Sequence, residues 1–128
     1  MAAKAGNDYI EDVRTFLEHN DVGGLDRYLS NLHASELGRL LAGVSVEEAR
    51  YIFRLLDPES ASEALLEVDE RLRKILISSI SSKKLIEVVH EMETDDAADV
   101  ISELPFKEAR QVLEGIEESA EVQKLLRA

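Results

Sequence analysis

The stretch LGRLLAGVSVEEARYIFRLLDPESASEALLEV, residues 37–68, sets the fold. Leu37, Leu40, Leu41 and Val44 follow the spacing i, i+3, i+4, i+7. Twelve residues on, Ala49, Ile52, Phe53 and Leu56 repeat it, and Ala61, Ala64, Leu65 and Val68 repeat it again. That spacing is one apolar stripe of an α-helix, whereas a strand would alternate. Between the stripes lie helix-start residues. Ser45 precedes Glu48 by three residues, which is the spacing of a capping box. Asp57 is followed by Pro58, an N-cap with proline at the first helical position.

The period runs outward through the whole chain. Stepping by twelve from Leu41 gives Leu17, Leu29, Phe53, Leu65, Ile77, Val89, Ile101, Leu113 and Leu125, all apolar. The neighbouring column, from Phe16 and Tyr28 to Val100 and Val112, turns polar only at Lys124. Columns through Leu32 and Leu37 are also mostly apolar; their exceptions are Asn20, Arg73 and Glu121. Polar exceptions in the first or last unit suit the ends of a solenoid. Asp69 and Ser81 continue the cap column, and Pro105 falls on it as a helix opener. Gly43 and Gly115 are expected near helix ends, where a left-handed residue is useful. Gly23 and Gly24 are expected in a turn.

A twelve-residue unit leaves about nine residues of helix, roughly 13 Å, plus a tight turn. Helices that short are unstable alone and must stack. The expectation is one all-α domain: about ten short antiparallel helices in a continuous, armadillo-like solenoid without strands. The apolar columns are its core and carry no binding role.

Composition narrows function. The formal net charge of −12 offers no basic excess to displace phosphate counterions, so nucleic acid is not a partner. Direct contact with an anionic membrane is disfavoured on the same ground. The absence of cysteine removes thiolate zinc sites and cysteine nucleophiles. No apolar run approaches the roughly 18 residues of a spanning helix, and Met1–Asp12 lacks the apolar core of a signal peptide, so the chain is expected to be soluble. His19, His33 and His90 have no zinc-ligand spacing. Ser78, Ser79, Ser81 and Ser82 cluster with no base beside them, and no residues converge on a catalytic set, so no enzyme is expected.

Charge is uneven along the chain. Residues 91–118 hold ten acids and two bases; residues 71–86 hold five bases and no acid. Asp95 and Asp99, four apart, project from one helix face, with Asp96 one position round. Glu59 and Glu63 repeat that spacing thirty-six residues earlier, and equal columns are expected to share a face. Such acids are also simply favourable charges at a helix start. As oxygen donors, they also suit a metal ion.

Two segments, FRLLDPESASEALLEV from Phe53 and EMETDDAADVISELP from Glu91, resemble the MgtE intracellular N domain, where similar elements read RLLDP.RAAE.L and M.PDDAADLL.ELP. The resemblance spans about Leu32 to Leu126. It implies a right-handed superhelix that would make residues 1–128 a single N domain, with 1–12 a partly ordered N-terminal segment. It implies the cytoplasmic part of an inner or plasma membrane magnesium channel or transporter, followed by a pair of CBS domains and a membrane pore. Both of those lie beyond Ala128 and are absent here. It implies weak Mg2+ binding shared with the CBS domains, closing the cytosolic part and shutting the pore, in a full-length homodimer. The residues it assigns to magnesium are Asp95, Asp99 and Glu63, with Asp96 and Glu59 as lesser candidates. Thr94 stands where the family often has proline and is expected to cap its helix. The competing reading is a protein-interaction solenoid similar to the middle domain of the flagellar motor-switch protein FliG.

Overall fold

The computed structural model describes residues 6–127, and among them every regular element is an α-helix. In chain order these are α1 (Gly6–Glu18), α2 (Val22–Ser30), α3 (Ala34–Gly43), α4 (Val46–Leu55), α5 (Pro58–Glu67), α6 (Glu70–Ser78), α7 (Ser82–His90), α8 (Thr94–Ser102) and α9 (Phe106–Arg127). The N-caps of α2 to α8 are Asp21, His33, Ser45, Asp57, Asp69, Ser81 and Glu93, one every twelve residues. Their chemistry starts each helix. Asp21 accepts from the Gly24 amide at 2.9 Å, Asp57 from Ser60 at 2.9 Å and Asp69 from Leu72 at 2.8 Å. Ser45 and Glu48 exchange hydrogen bonds of 3.1 and 3.0 Å, completing the capping box.

Each odd helix packs mainly on the next odd one, so α1, α3, α5, α7 and α9 form a row, while α4 packs on α3 and α6. This stacking makes the fold a solenoid. Leu29, Leu41, Phe53, Leu65, Ile77 and Val89, from one sequence column, are all buried, as are Leu40, Ile52, Ala64, Leu76, Val88, Val100 and Val112 from its neighbour. Tyr9 and Val13 join this core, so α1 belongs to the stack from Gly6 on; residues 1–5 lie outside the described residues.

The structure departs from the sequence expectation at several points. Nine helices are described rather than about ten, because α9 runs 22 residues through the last two units. The next cap position is Glu117, followed by Glu118, Ser119 and Ala120. No proline stands there to open a new helix, as Pro105 does one unit earlier. The column members Leu113 and Leu125 are 48% and 77% exposed. The side chains of Glu121, Lys124 and Ala128, which close the other columns, lie outside the described residues. Thr94 does not cap α8; Glu93 holds the cap position and Thr94 is the first helical residue.

The glycines also serve a different purpose from the one expected. Gly43 ends α3, Gly115 lies inside α9, and no described glycine has positive φ. At both positions the missing Cβ admits a neighbour instead. A Cβ on Gly43 would lie 2.7 Å from Cδ1 of Ile10, and one on Gly115 would lie 2.3 Å from Cδ1 of Ile86. Gly23 and Gly24 belong to the first turn of α2, and the left-handed residue of the α1–α2 turn is Asn20, at φ 51°.

Candidate metal-binding face

Val100 anchors α8 in the core and turns the opposite side of the helix outward. Asp95 and Asp99 are exposed on that side, and Asp96 is half-buried. Asp95 and Asp96 occupy the first turn, where the helix dipole favours anions. Glu59 and Glu63 are exposed on α5, Glu59 in its first turn. Among the described residues, none of these five carboxylates makes an ion pair or a side-chain hydrogen bond.

The two acid pairs do not combine into one site. α5 sits in the odd row between α3 and α7, whereas the principal contacts of α8 are with α7 and α9. Thirty-six residues is an odd number of units, and a two-row stack alternates rows with each unit. The equal register therefore places Glu59–Glu63 and Asp95–Asp99 on different rows, not on one shared face. Among the described residues no three His, Asp or Glu side chains gather as a possible metal cage. Each pair is an open set of oxygen donors. Such a set suits a hydrated hard cation, with one or two direct carboxylates and water completing the octahedron.

The basic segment 71–86 is largely committed to internal partners. Lys74 pairs with Glu70 at 3.1 Å within α6. Lys84 donates to the carbonyl of Arg54 at 2.6 Å, and burial pushes its pKa down. Arg73, the basic exception in an apolar column, donates to Glu103 through Nη2 at 2.7 Å and Nε at 2.8 Å. Its Nη1 reaches the Val68 and Leu65 carbonyls, at 3.1 and 3.3 Å, at the C-terminal end of α5. One guanidinium thus joins α6 to the ends of α5 and α8. Its hydrogen bonds hold the Glu103 carboxyl below the usual carboxylate range, against an opposing effect of burial. Sequence reasoning missed this pair, although an arginine on a core column signals a buried carboxylate partner somewhere in the chain.

The remaining polar residues serve the scaffold. Tyr9 donates to Glu36, and Tyr28 donates to Asp12 at 2.7 Å. His33 is the N-cap of α3, while His19 and His90 are exposed at helix ends. The hydroxyls of Ser78 and Ser79 bond the carbonyls of Ile75 and Leu76, and Ser81 caps α7.

A family model described as the MgtE intracellular N domain matches residues 32–127. Comparison with curated proteins gives no match. Among solved structures, the crystal structure of the soluble part of a magnesium transporter is similar, with a TM-score of 0.42 and 12% identity. That likeness covers 88% of this chain and 49% of the other, so the chain spans about half the length of that protein. At this TM-score the structural likeness carries no argument, and membership rests on the sequence match. No helix among the described residues is long and apolar enough to cross a membrane.

Proposed function

The chain belongs to the MgtE intracellular N domain family, and from that premise we propose that it is the cytosolic magnesium-sensing regulatory domain of a magnesium channel or transporter. In this reading it is non-catalytic and closes against CBS domains of the same protein when Mg2+ is bound. It acts within a full-length homodimer, as the cytoplasmic part of an inner or plasma membrane protein. The observation that carries the proposal is the Asp95–Asp99 pair. It is exposed and without an ionic partner among the described residues, and it lies inside the TDDAAD segment of the family match. The match over residues 32–127 favours this reading over a flagellar-type interaction solenoid.

The pair works as a half-site. Two carboxylates supply at most a few of the six oxygens magnesium requires, and stripping its water is costly. Binding by this domain alone is therefore weak, no better than roughly millimolar. An opposing acidic surface on the CBS side would share the ion, and without the ion the two like-charged surfaces repel. Glu63, with Glu59 beside it, is a second open pair on the other row; Asp96 adds charge next to Asp95.

The test is Asp95→Asn with Asp99→Asn in the full transporter. The double variant should need more magnesium to protect the N–CBS junction from protease, and its channels should stay open at concentrations that close the parent. An unchanged magnesium response would remove both residues from the sensor and leave them as helix-start charges.

A further inference from the structure

We propose that the solenoid contains a joint: α8 and α9 swing as one body against α1–α7, and the Arg73–Glu103 pair is the latch that holds the joint closed. The two sides of the stack differ at this point. Along the odd row, α5, α7 and α9 pack in unbroken succession. Ile86 of α7 lies so close over Gly115 of α9 that a Cβ there would sit 2.3 Å from its Cδ1, which pins this side. Along the even row, α4 packs on α6, but α6 and α8 do not pack closely. The space beside them is a cleft of about 500 Å3, with Lys74, Ile77 and Ser78 on one wall and Leu104, Pro105 and Glu108 on the other. Both walls are described residues of this chain.

One side chain bridges the open side. Among the described residues, the only hydrogen bonds from α6 to the α8 end of the cleft are those of Arg73 to Glu103, at 2.7 and 2.8 Å. The same guanidinium holds the Val68 and Leu65 carbonyls, so its half of the latch is fixed to α5 as well as α6. Little else fastens α8 to the first body. Val100 is its one buried residue, and its principal neighbours are α7 and α9. The smaller opening at the other end, about 270 Å3 between α2 and Tyr51, differs, because α2 is anchored by buried Leu25 and Leu29. A partly exposed ion pair exchanges readily with water, whereas a close-packed edge resists separation. The odd row is thus the pivot and the even row the side that opens, in the manner of a hinge. Opening carries Asp95 and Asp99 away from α6 together with α8. The joint is read from packing and stands whether or not those acids hold a metal.

The chain has no cysteine, so spin labels go only where a cysteine is introduced. Arg54→Cys on α4 with Ala98→Cys on α8 reports the joint, and Arg39→Cys on α3 with Arg54→Cys reports the first body alone; all three positions are exposed. Pulsed electron paramagnetic resonance gives the distance distribution of each pair. Arg73→Met and Glu103→Ala break the latch from opposite sides. Each should broaden the 54–98 distribution to about twice its width or more and leave the 39–54 distribution unchanged. Circular dichroism checks helix content. Glu103→Ala leaves Arg73 on its α5 carbonyls, so it decides the question if Arg73→Met does not fold. A 54–98 distribution that the latch variants leave unaltered would show a static cleft and overturn the proposal. Equal broadening of the 39–54 distribution would overturn it too, because the whole stack would then have loosened.

Discussion

Replacing Arg73 with methionine should lower stability by about 2–4 kcal/mol, and replacing Glu103 with glutamine by only about 1–2. The side chains are 17% and 15% exposed, so the pair lies between a surface bridge, worth up to about 1 kcal/mol, and a fully buried one, whose breakage costs about 3–5. Methionine keeps much of the packing of the arginine stem. It leaves Glu103 charged and unpaired at the C-terminal end of α8, where the helix dipole disfavours an anion. It also removes the donor that reaches the Leu65 and Val68 carbonyls. Glutamine at 103 is gentler, since Arg73 keeps both carbonyls and a neutral acceptor. The double variant should therefore cost less than the sum of the singles, with a coupling of about 1–2 kcal/mol. Urea unfolding followed by circular dichroism at pH 7 measures all three, and in heat each kcal/mol corresponds to about 3–6 °C of Tm. If Arg73→Met costs under about 1 kcal/mol, or if the two single variants match within about 0.5, the guanidinium does not join three helices as described.

Three further outcomes follow from the same structure. Glu36, Glu48 and Glu103 are held below their ordinary pKa, chiefly by hydrogen bonds from Tyr9, Arg14 and Arg73 respectively; their stabilisation is present above the unfolded carboxylate pKa, about 4.3, and is lost as pH falls through the lower folded values, so Glu103→Gln should flatten the acid limb of a stability–pH curve. Phe53→Ala, at 0% exposure, should cost about 3–5 kcal/mol while Glu47→Ala on the exposed side of α4 costs under about 0.5, and equal denaturant midpoints would contradict the column assignment. Gly115→Ala should destabilise by about 0.5–2 kcal/mol despite alanine's better helix propensity, because its Cβ meets Ile86, and adding Ile86→Val should restore part of the loss in thermal melts.

Much of the scaffold is legible in the chain because its information is local and periodic. Ser45 with Glu48, Asp57 with Pro58, and the step to Asp69 and Ser81 mark helix starts within four residues of sequence. Phe53 and Leu65 declare a buried face by spacing alone. The TDDAAD segment is legible as an exposed acidic helix start for the same reason. Arg73 was not legible: its carboxylate partner lies thirty residues away, and only the packing of α6 beside the end of α8 brings the two together. The glycines misled in a similar way. Gly43 and Gly115 sit where helix ends were expected, yet their lack of a side chain answers to Ile10 and Ile86 on other helices.

The sequence by itself determined the helical class, the twelve-residue pitch, the caps and the membership of the family, because each depends on residues close together in the chain or on a pattern repeated along it. Tertiary structure decided which repeats share a row. Stacking alternates, so the acids of α5 and α8 occupy the same register on different rows instead of one face. It also decided where the repeat ends. Helix propensity carries α9 through the last boundary, and Leu113 is 48% exposed although Leu41 and Leu65 of the same column are buried, because burial depends on what packs over a helix and not on its place in the repeat.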